Sequence, residues 1–300
     1  MNEGAARGRN NGGAEAAPAA GVRGQGPDTI HVVERGDGEA LVLVHGLGSS
    51  GDDWAFQMPA FVAHFRVLLP DLPGSGRSPP PPAYSIEGFA TDLWAMLDRR
   101  RIERAHLVGF SLGGAIALEM ALQRPERAGR LVMINALPSY RVDHWKKWFE
   151  MHSRFLMIRV LGLSRTARLI AHRMFPGPHQ AAMRKRVSEV VGENPVDRYL
   201  ATARALAGWC AQDRLHLLRS PTLIVAAEHD YTALSEKREI AARIGAQIAV
   251  ILGSRHGTPF DSIRACNACV LAFLRGEPLP DPESLRADTP EETPSTAPPL

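Results

Sequence analysis

Ser111 stands in Gly109-Phe110-Ser111-Leu112-Gly113, directly after the apolar run Ala105–Val108 and directly before Ala115, Ile116, Ala117 and Leu118. A strand that turns sharply into a helix strains the residue at the turn. Gly109 and Gly113 leave room for such a turn, which would push Ser111 Oγ out above the end of the strand. A serine hydroxyl is a poor nucleophile at neutral pH. It needs a histidine to take its proton and a carboxylate to orient that histidine. The plain alternative is a glycine-rich connection whose serine only caps the following helix. Of the 11 histidines, His256 is the one in a Gly/Ser-rich loop, Ser254-Arg255-His256-Gly257, just after an apolar run, Gln247–Leu252. His31, His64 and His106 fall in strand or strand-edge patterns and read as structural. Two carboxylates, Glu228 and Asp230, follow the apolar run Thr222–Ala226, with His229 between them.

The elements that must hold these residues alternate. Short apolar runs at 65–69, 105–108, 131–134, 222–226 and 247–252 read as strands. The helical patterns Ile86–Arg99, Leu112–Arg124, Glu236–Ile244 and Ser262–Leu274 separate most of them. Strands alternating with helices imply a mostly parallel sheet covered on both faces. Residues 30–35 and 40–44 flank Gly36-Asp37-Gly38, which predicts a β-hairpin opening the sheet. The alternation stops over residues 138–218, which read as helices without strands and therefore as an insertion. From Ser139 to Arg219 there are 15 Lys and Arg against 6 Asp and Glu, so this insertion is basic.

A chain of 300 residues, 45% hydrophobic, can build one large α/β domain with such an insertion. A net charge of only +3 argues against nucleic acid as a partner. No apolar run reaches membrane-span length and no secretory signal is evident, which sets a cytoplasmic expectation. Three cysteines do not make a disulfide framework, and Cys266-Asn267-Ala268-Cys269 lacks a second ligand pair at zinc spacing, so no metal is expected. Residues 1–27 are of low complexity and residues 276–300 are rich in Pro, Glu and Asp. Both are expected to be disordered tails, with an acidic C-terminal tail able to meet the basic insertion. The folded core then spans 28–137 and 219–275, with a helical cap over 138–218.

Taken together, six ordered motifs resemble the α/β-hydrolase superfamily, over about residues 30–274. They are His45-Gly46-Leu47-Gly48; the run Asp71-Leu72-Pro73-Gly74-Ser75-Gly76-Arg77-Ser78; the Ser111 turn; the helical insertion; Glu228-His229-Asp230; and Ser254-Arg255-His256-Gly257. The capped serine-dependent branch is nearest: carboxylesterases, enol-lactonases and carbon–carbon bond hydrolases. Its order of nucleophile, acid and histidine implies Ser111, Asp230 and His256, with Glu228 as the alternative acid. Some relatives place the acid after the strand that follows the nucleophile helix, but Asn135 stands there and cannot ionise. The resemblance also implies an oxyanion hole of two backbone N–H groups, from Leu47 and Leu112. His45, Gly46, Gly109 and Gly113 support it, and the 71–78 loop and Trp54 serve as scaffold.

Serine at this position disfavours epoxide hydrolysis and dehalogenation, which use aspartate, and implies acyl transfer to water without a cofactor. The expected substrate is a small carboxylic ester or lactone. Cleavage of a carbon–carbon bond in a dienoate is the alternative, and a non-catalytic ligand-binding role is a third. In the insertion, Trp145, Trp148, Phe149, His152, Phe155 and Leu156 recur at helical spacing, with Lys146, Lys147 and Arg154 off that stripe. The expectation is a cap that packs this stripe on the core. The competing reading is a lid that shows its aromatic surface to a lipophilic substrate or an anionic membrane.

Overall fold

The computed structural model describes residue 1, residues 30–142, residues 144–294 and residue 296. Apart from its first residue, the tail expected over 1–27 lies outside the described residues, and so do the side chains of Lys146 and Lys147. In chain order the elements are β1 (Val32–Arg35), β2 (Ala40–Val44), α1 (Met58–Phe61), β3 (Arg66–Pro70), α2 (Ile86–Arg99), β4 (Ala105–Phe110), α3 (Leu112–Gln123) and β5 (Ala128–Ile134). The insertion carries α4 (Trp145–Leu161), α5 (Leu163–Met174), α6 (Ala181–Gly192) and α7 (Val196–Gly208). The core resumes with β6 (Thr222–Ala227), α8 (Leu234–Ile244), β7 (Gln247–Ile251), α9 (Thr258–Asp261) and α10 (Ile263–Arg275).

The seven strands form one sheet in the order β1-β3-β2-β4-β5-β6-β7, parallel except for β1. Its strands read as near-continuous apolar runs because both faces are covered. The period of two sorts the side chains. Leu41, Leu43, Val108, Phe110, Val132 and Ile134 join a core with α10 and the cap. Val42, Val44, Leu107, Leu131 and Met133 join another with α2 and α3.

The expected hairpin does not form. β3 lies between β1 and β2, and β1 pairs with β3. The glycine turn is present, but it carries the chain across the end of β3. Gly36 has φ 77°, and a Cβ there would fall 2.4 Å from the Phe65 carbonyl oxygen. Every residue of β2 is buried, so this strand needs a partner on each side, and the parallel neighbours β3 and β4 supply them.

The C-terminal segment is also a correction. Among the described residues it does not hang free. Leu252 N–H donates to Leu285 O (2.9 Å) and Ala287 N–H to Leu252 O (2.8 Å), so the chain returns alongside the end of β7. Leu285 is buried in the core, and the Asp288 carboxylate accepts from Ile263 N–H at the start of α10 (2.7 Å). A leucine anchor and a capping carboxylate help hold it there, and a composition dominated by proline and acid conceals both.

The cap corrects the third expectation. Of the predicted stripe only Phe155 is buried, and Trp145, Trp148, Phe149 and Leu156 face solvent. α4 packs through Phe155 and Ile158, with Met151 beside them. Its apolar residues form one broad arc on which Trp148 borders Phe155, and periodicity alone does not say which part of it turns inward. The exit from the insertion is fixed by Glu119 of α3. This buried carboxylate takes a bidentate pair from Arg214 (2.8 and 2.8 Å) and the Trp209 indole N–H (3.0 Å).

Candidate active site

Ser111 sits between β4 and α3 with φ 54° and ψ −115°, a conformation that costs a non-glycine residue energy. Close approach explains the flanking glycines. A Cβ on Gly109 would lie 2.1 Å from Gly113 O, and a Cβ on Gly113 would lie 2.0 Å from Val44 O. The same contact brings the backbone of His45 against the start of α3. Ser111 makes no side-chain capping bond to its helix. Its Oγ lies instead 3.0 Å from His256 Nε2.

His256 Nδ1 is 2.5 Å from Asp230 Oδ1. The Asp230 side chain is fully buried and accepts from three further groups: Tyr231 N–H (2.7 Å), Thr232 Oγ1–H (2.7 Å) and the Lys237 ammonium. Burial alone would raise the Asp230 pKa. The His256 and Lys237 contacts outweigh it and hold the carboxyl well below the usual range. A carboxylate there accepts from Nδ1–H, which leaves the Nε2 lone pair facing Ser111 Oγ–H. The structure thus brings Ser111, Asp230 and His256 into one hydrogen-bonded row. Glu228 is turned elsewhere, its carboxylate accepting from Gly253 N–H (2.8 Å), and the His229 side chain is half exposed beside it.

Three residues position this row: Lys237 and Asp261, which the sequence reading did not single out, and Asn135, which it weighed only as a place for the acid. Asn135, left-handed at φ 48° and wholly buried, donates to His256 O (2.9 Å) and Thr258 Oγ1 (2.7 Å). Its Oδ1 accepts from Ala227 N–H (2.8 Å) and the Lys237 ammonium (3.3 Å). Lys237 has no exposed surface, and burial lowers its pKa against the pull of Asp230. Asp261 pins the histidine loop by accepting from Ser254 Oγ–H (2.8 Å) and Arg255 N–H (3.1 Å). The sequence offered one signal, a lysine at the inner spacing of α8. The rest depends on strands far apart in the chain.

Leu112 directly follows Ser111 in the chain, and Leu47 follows the His45 backbone that packs against the start of α3. Leu112 opens α3, so its N–H has no acceptor within the helix and lies at the positive end of the helix dipole. Among the described residues the Leu47 N–H has no protein acceptor either. His45 is a structural brace. It is buried, its Nδ1–H donates to Gly46 O (2.8 Å) and its Nε2 accepts from Leu72 N–H (3.0 Å). Burial lowers its pKa, in keeping with a neutral ring. Asp71 closes the next loop, accepting from Gly51 N–H (2.8 Å) and Arg77 N–H (2.9 Å). Trp54 is buried in the core. Cys266 and Cys269 point into the core from α10, where burial raises both thiol pKa values, that of Cys269 to about 12. No metal-ligating cluster occurs among the described residues.

The Tyr231 ring, in the loop after β6, stacks on His256 (centroids 4.5 Å apart, 21° between planes), and from the insertion the Arg173 guanidinium of α5 stands 5.1 Å over Tyr231. Phe175 lies against Gly257, where a Cβ would come within 2.5 Å of its ring. From α6 and the turn after it, Arg186 donates to Asp52 O (2.8 Å) and Asn194 to Gly48 O (2.8 Å), clamping the loop that carries Leu47.

Comparison with known proteins agrees with this architecture. A family model described as "alpha/beta hydrolase fold" matches residues 39–261. A Caulobacter sp. (strain K31) protein named "Putative carbamate hydrolase RutD" is 30% identical over 257 residues, covering 83% of this chain and 95% of its own length. A solved hydrolase from Pseudomonas aeruginosa PA01 is 28% identical with a TM-score of 0.73, covering 82% of this chain and 94% of that one. The enol-lactonase of Burkholderia xenovorans LB400 shares the fold at 24% identity and a TM-score of 0.74, covering 82% and 96%.

Proposed function

The chain belongs to the α/β-hydrolase family, and from that premise we propose that it cleaves a small carboxylic ester or lactone through an acyl-enzyme on Ser111. One observation carries this reading: the row from Ser111 Oγ through His256 to Asp230, at 3.0 and 2.5 Å. His256 takes the Ser111 proton as Oγ attacks the carbonyl carbon. The N–H groups of Leu47 and Leu112 hold the oxygen that becomes negative. His256 then gives its proton to the departing alkoxide, and the carbon–oxygen bond breaks. A water, deprotonated by the same Nε2, attacks the acyl group and frees Ser111. Asp230 stays ionised and keeps the proton on Nδ1.

A second reading keeps this machinery and changes the substrate. The relative named as a carbamate hydrolase supports a carbamate, whose carbonyl would be attacked in the same way. The test is hydrolysis of p-nitrophenyl acetate, butyrate and octanoate, an enol-lactone and an aryl carbamate by wild type and Ser111→Ala. Ester or lactone turnover that disappears in the variant is the expected result. Turnover of the carbamate alone would move the reading to the second substrate. Turnover retained by Ser111→Ala would overturn both.

A further inference from the structure

Eight of the twelve large apolar side chains exposed among the described residues lie on α4 and α5. Trp145, Trp148, Phe149, Leu156 and Val160 are between 53% and 70% exposed. At about 100° per residue they fall, with His152, on a single stripe of α4. One edge of the stripe, at Trp148, borders Phe155, while its centre lies about 90° from Phe155 and about 150° from Ile158, the residues through which the helix is seated. A soluble monomer rarely shows so concentrated an apolar patch unless something covers it.

The surroundings say what covers it. Between Trp145 and Met174 the chain carries seven Lys and Arg and one acidic residue. Arg159, exposed, falls within the stripe beside Trp148. On α5, which follows α4 across Gly162, Arg165, Arg168, Leu169 and His172 are all exposed and spaced to share one helix face. A second copy docking by this face would bring two basic helices together and repel itself. A surface that is apolar at depth and negative at its border matches both features. Trp148 is also ordered in advance: its ring stacks on His152 (centroids 3.8 Å apart), and His152 Nδ1 lies 2.8 Å from Trp148 O. Ordering it on contact therefore costs little rotamer entropy.

We propose that the outward stripe of α4, with the exposed arginines of α5, docks the protein on an anionic lipid bilayer. The stripe enters the boundary between headgroups and acyl chains, and the arginines meet the lipid phosphates. No helix among the described residues is long and apolar enough to cross a membrane, so the contact is a surface one.

The test uses the full chain and vesicles of phosphatidylcholine, with or without phosphatidylserine. Expected are co-sedimentation with the phosphatidylserine vesicles at low ionic strength and a blue shift of tryptophan emission. At high salt, partitioning should weaken roughly tenfold or more. The triple variant Trp148→Ser, Phe149→Ser, Leu156→Ser removes only exposed groups. It should lose roughly tenfold or more of the binding while keeping its Tm and its turnover of a water-soluble ester. A second variant, Arg159→Gln, Arg165→Gln, Arg168→Gln, should lose the preference for phosphatidylserine. A folded wild type that ignores anionic vesicles at low salt would overturn the proposal. So would a dimer that the apolar variant makes monomeric, since the face would then belong to a second copy. Binding is read without turnover, so a failure of the hydrolase reading leaves it standing.

Discussion

The row at Ser111 and the cap above it are held by different forces. Around the row the side chains of Asp230, Asn135 and Asp261 are each held by several partners. Asp230 accepts four contacts, Asn135 joins the His256 loop to β6 and Lys237, and Asp261 ties down Ser254 and Arg255. In a low-dielectric interior such a network fixes geometry, because losing any member strands another. The cap rests instead on apolar contacts and on a few bonds at its seam with the core, and it leaves one helix face uncovered. Apolar contacts are non-directional, so they hold a roof in place without fixing it to tenths of an ångström. Damage to the row should therefore remove chemistry or break the fold, whereas damage to the cap should grade activity.

The largest effect belongs to Ser111→Ala. It should lower kcat by about 10⁴-fold or more with an unchanged Tm. Asp230→Asn should follow at roughly 10³- to 10⁴-fold, because an amide N–H facing Nδ1 favours the wrong tautomer. Glu228→Gln should stay near wild type in the same assay. The reverse pattern would move the acid to Glu228. The Asp230 pKa is depressed in the folded state, so its contribution to stability is present above the unfolded carboxylate pKa. It should be lost only as pH falls far into the acid range.

Lys237→Met probes the network rather than the reaction. Leaving the buried Asp230 without its ammonium partner should cost about 3–5 kcal/mol in denaturant unfolding. Adding Asp230→Asn should recover part of that loss, which a double-mutant cycle would measure. Strict additivity would mean that the two groups do not act as a pair. At the seam, Asn194→Ala removes the bond to Gly48 O. It should cost about 1 kcal/mol and lower kcat/KM several-fold by loosening the Leu47 loop. A loss as large as that of Asp230→Asn would erase the distinction between row and roof.

The smallest effect is at the returning C-terminal segment. Burial raises the Asp288 pKa to about 6, above its unfolded value. A carboxyl with a raised folded pKa favours folding below the unfolded pKa, and that advantage is lost as pH rises through about 6. Relative to Asp288→Asn, the wild type should therefore lose roughly 2–4 °C of Tm between pH 4 and pH 8. A constant gap would mean that Asp288 titrates normally.

Chain order by itself determined what depends on near neighbours. The turn at Ser111 is legible because Gly109 and Gly113 lie within two residues of it, and only glycine tolerates contacts of 2.1 and 2.0 Å at those positions. The parallel sheet is legible because two-sided burial leaves unbroken apolar runs. Only the tertiary structure decided what depends on distant partners. Asn135 and Lys237 acquire their roles from strands about 90 and 100 residues away in the chain. β1 finds β3 rather than β2 because a buried β2 needs parallel strands on both sides. The short leucine and aspartate anchors of the C-terminal segment have no periodicity to betray them. On α4 the sequence contained one broad apolar arc. Which part of it became the interior was settled by what the core could cover, and that is a property of the assembled surface.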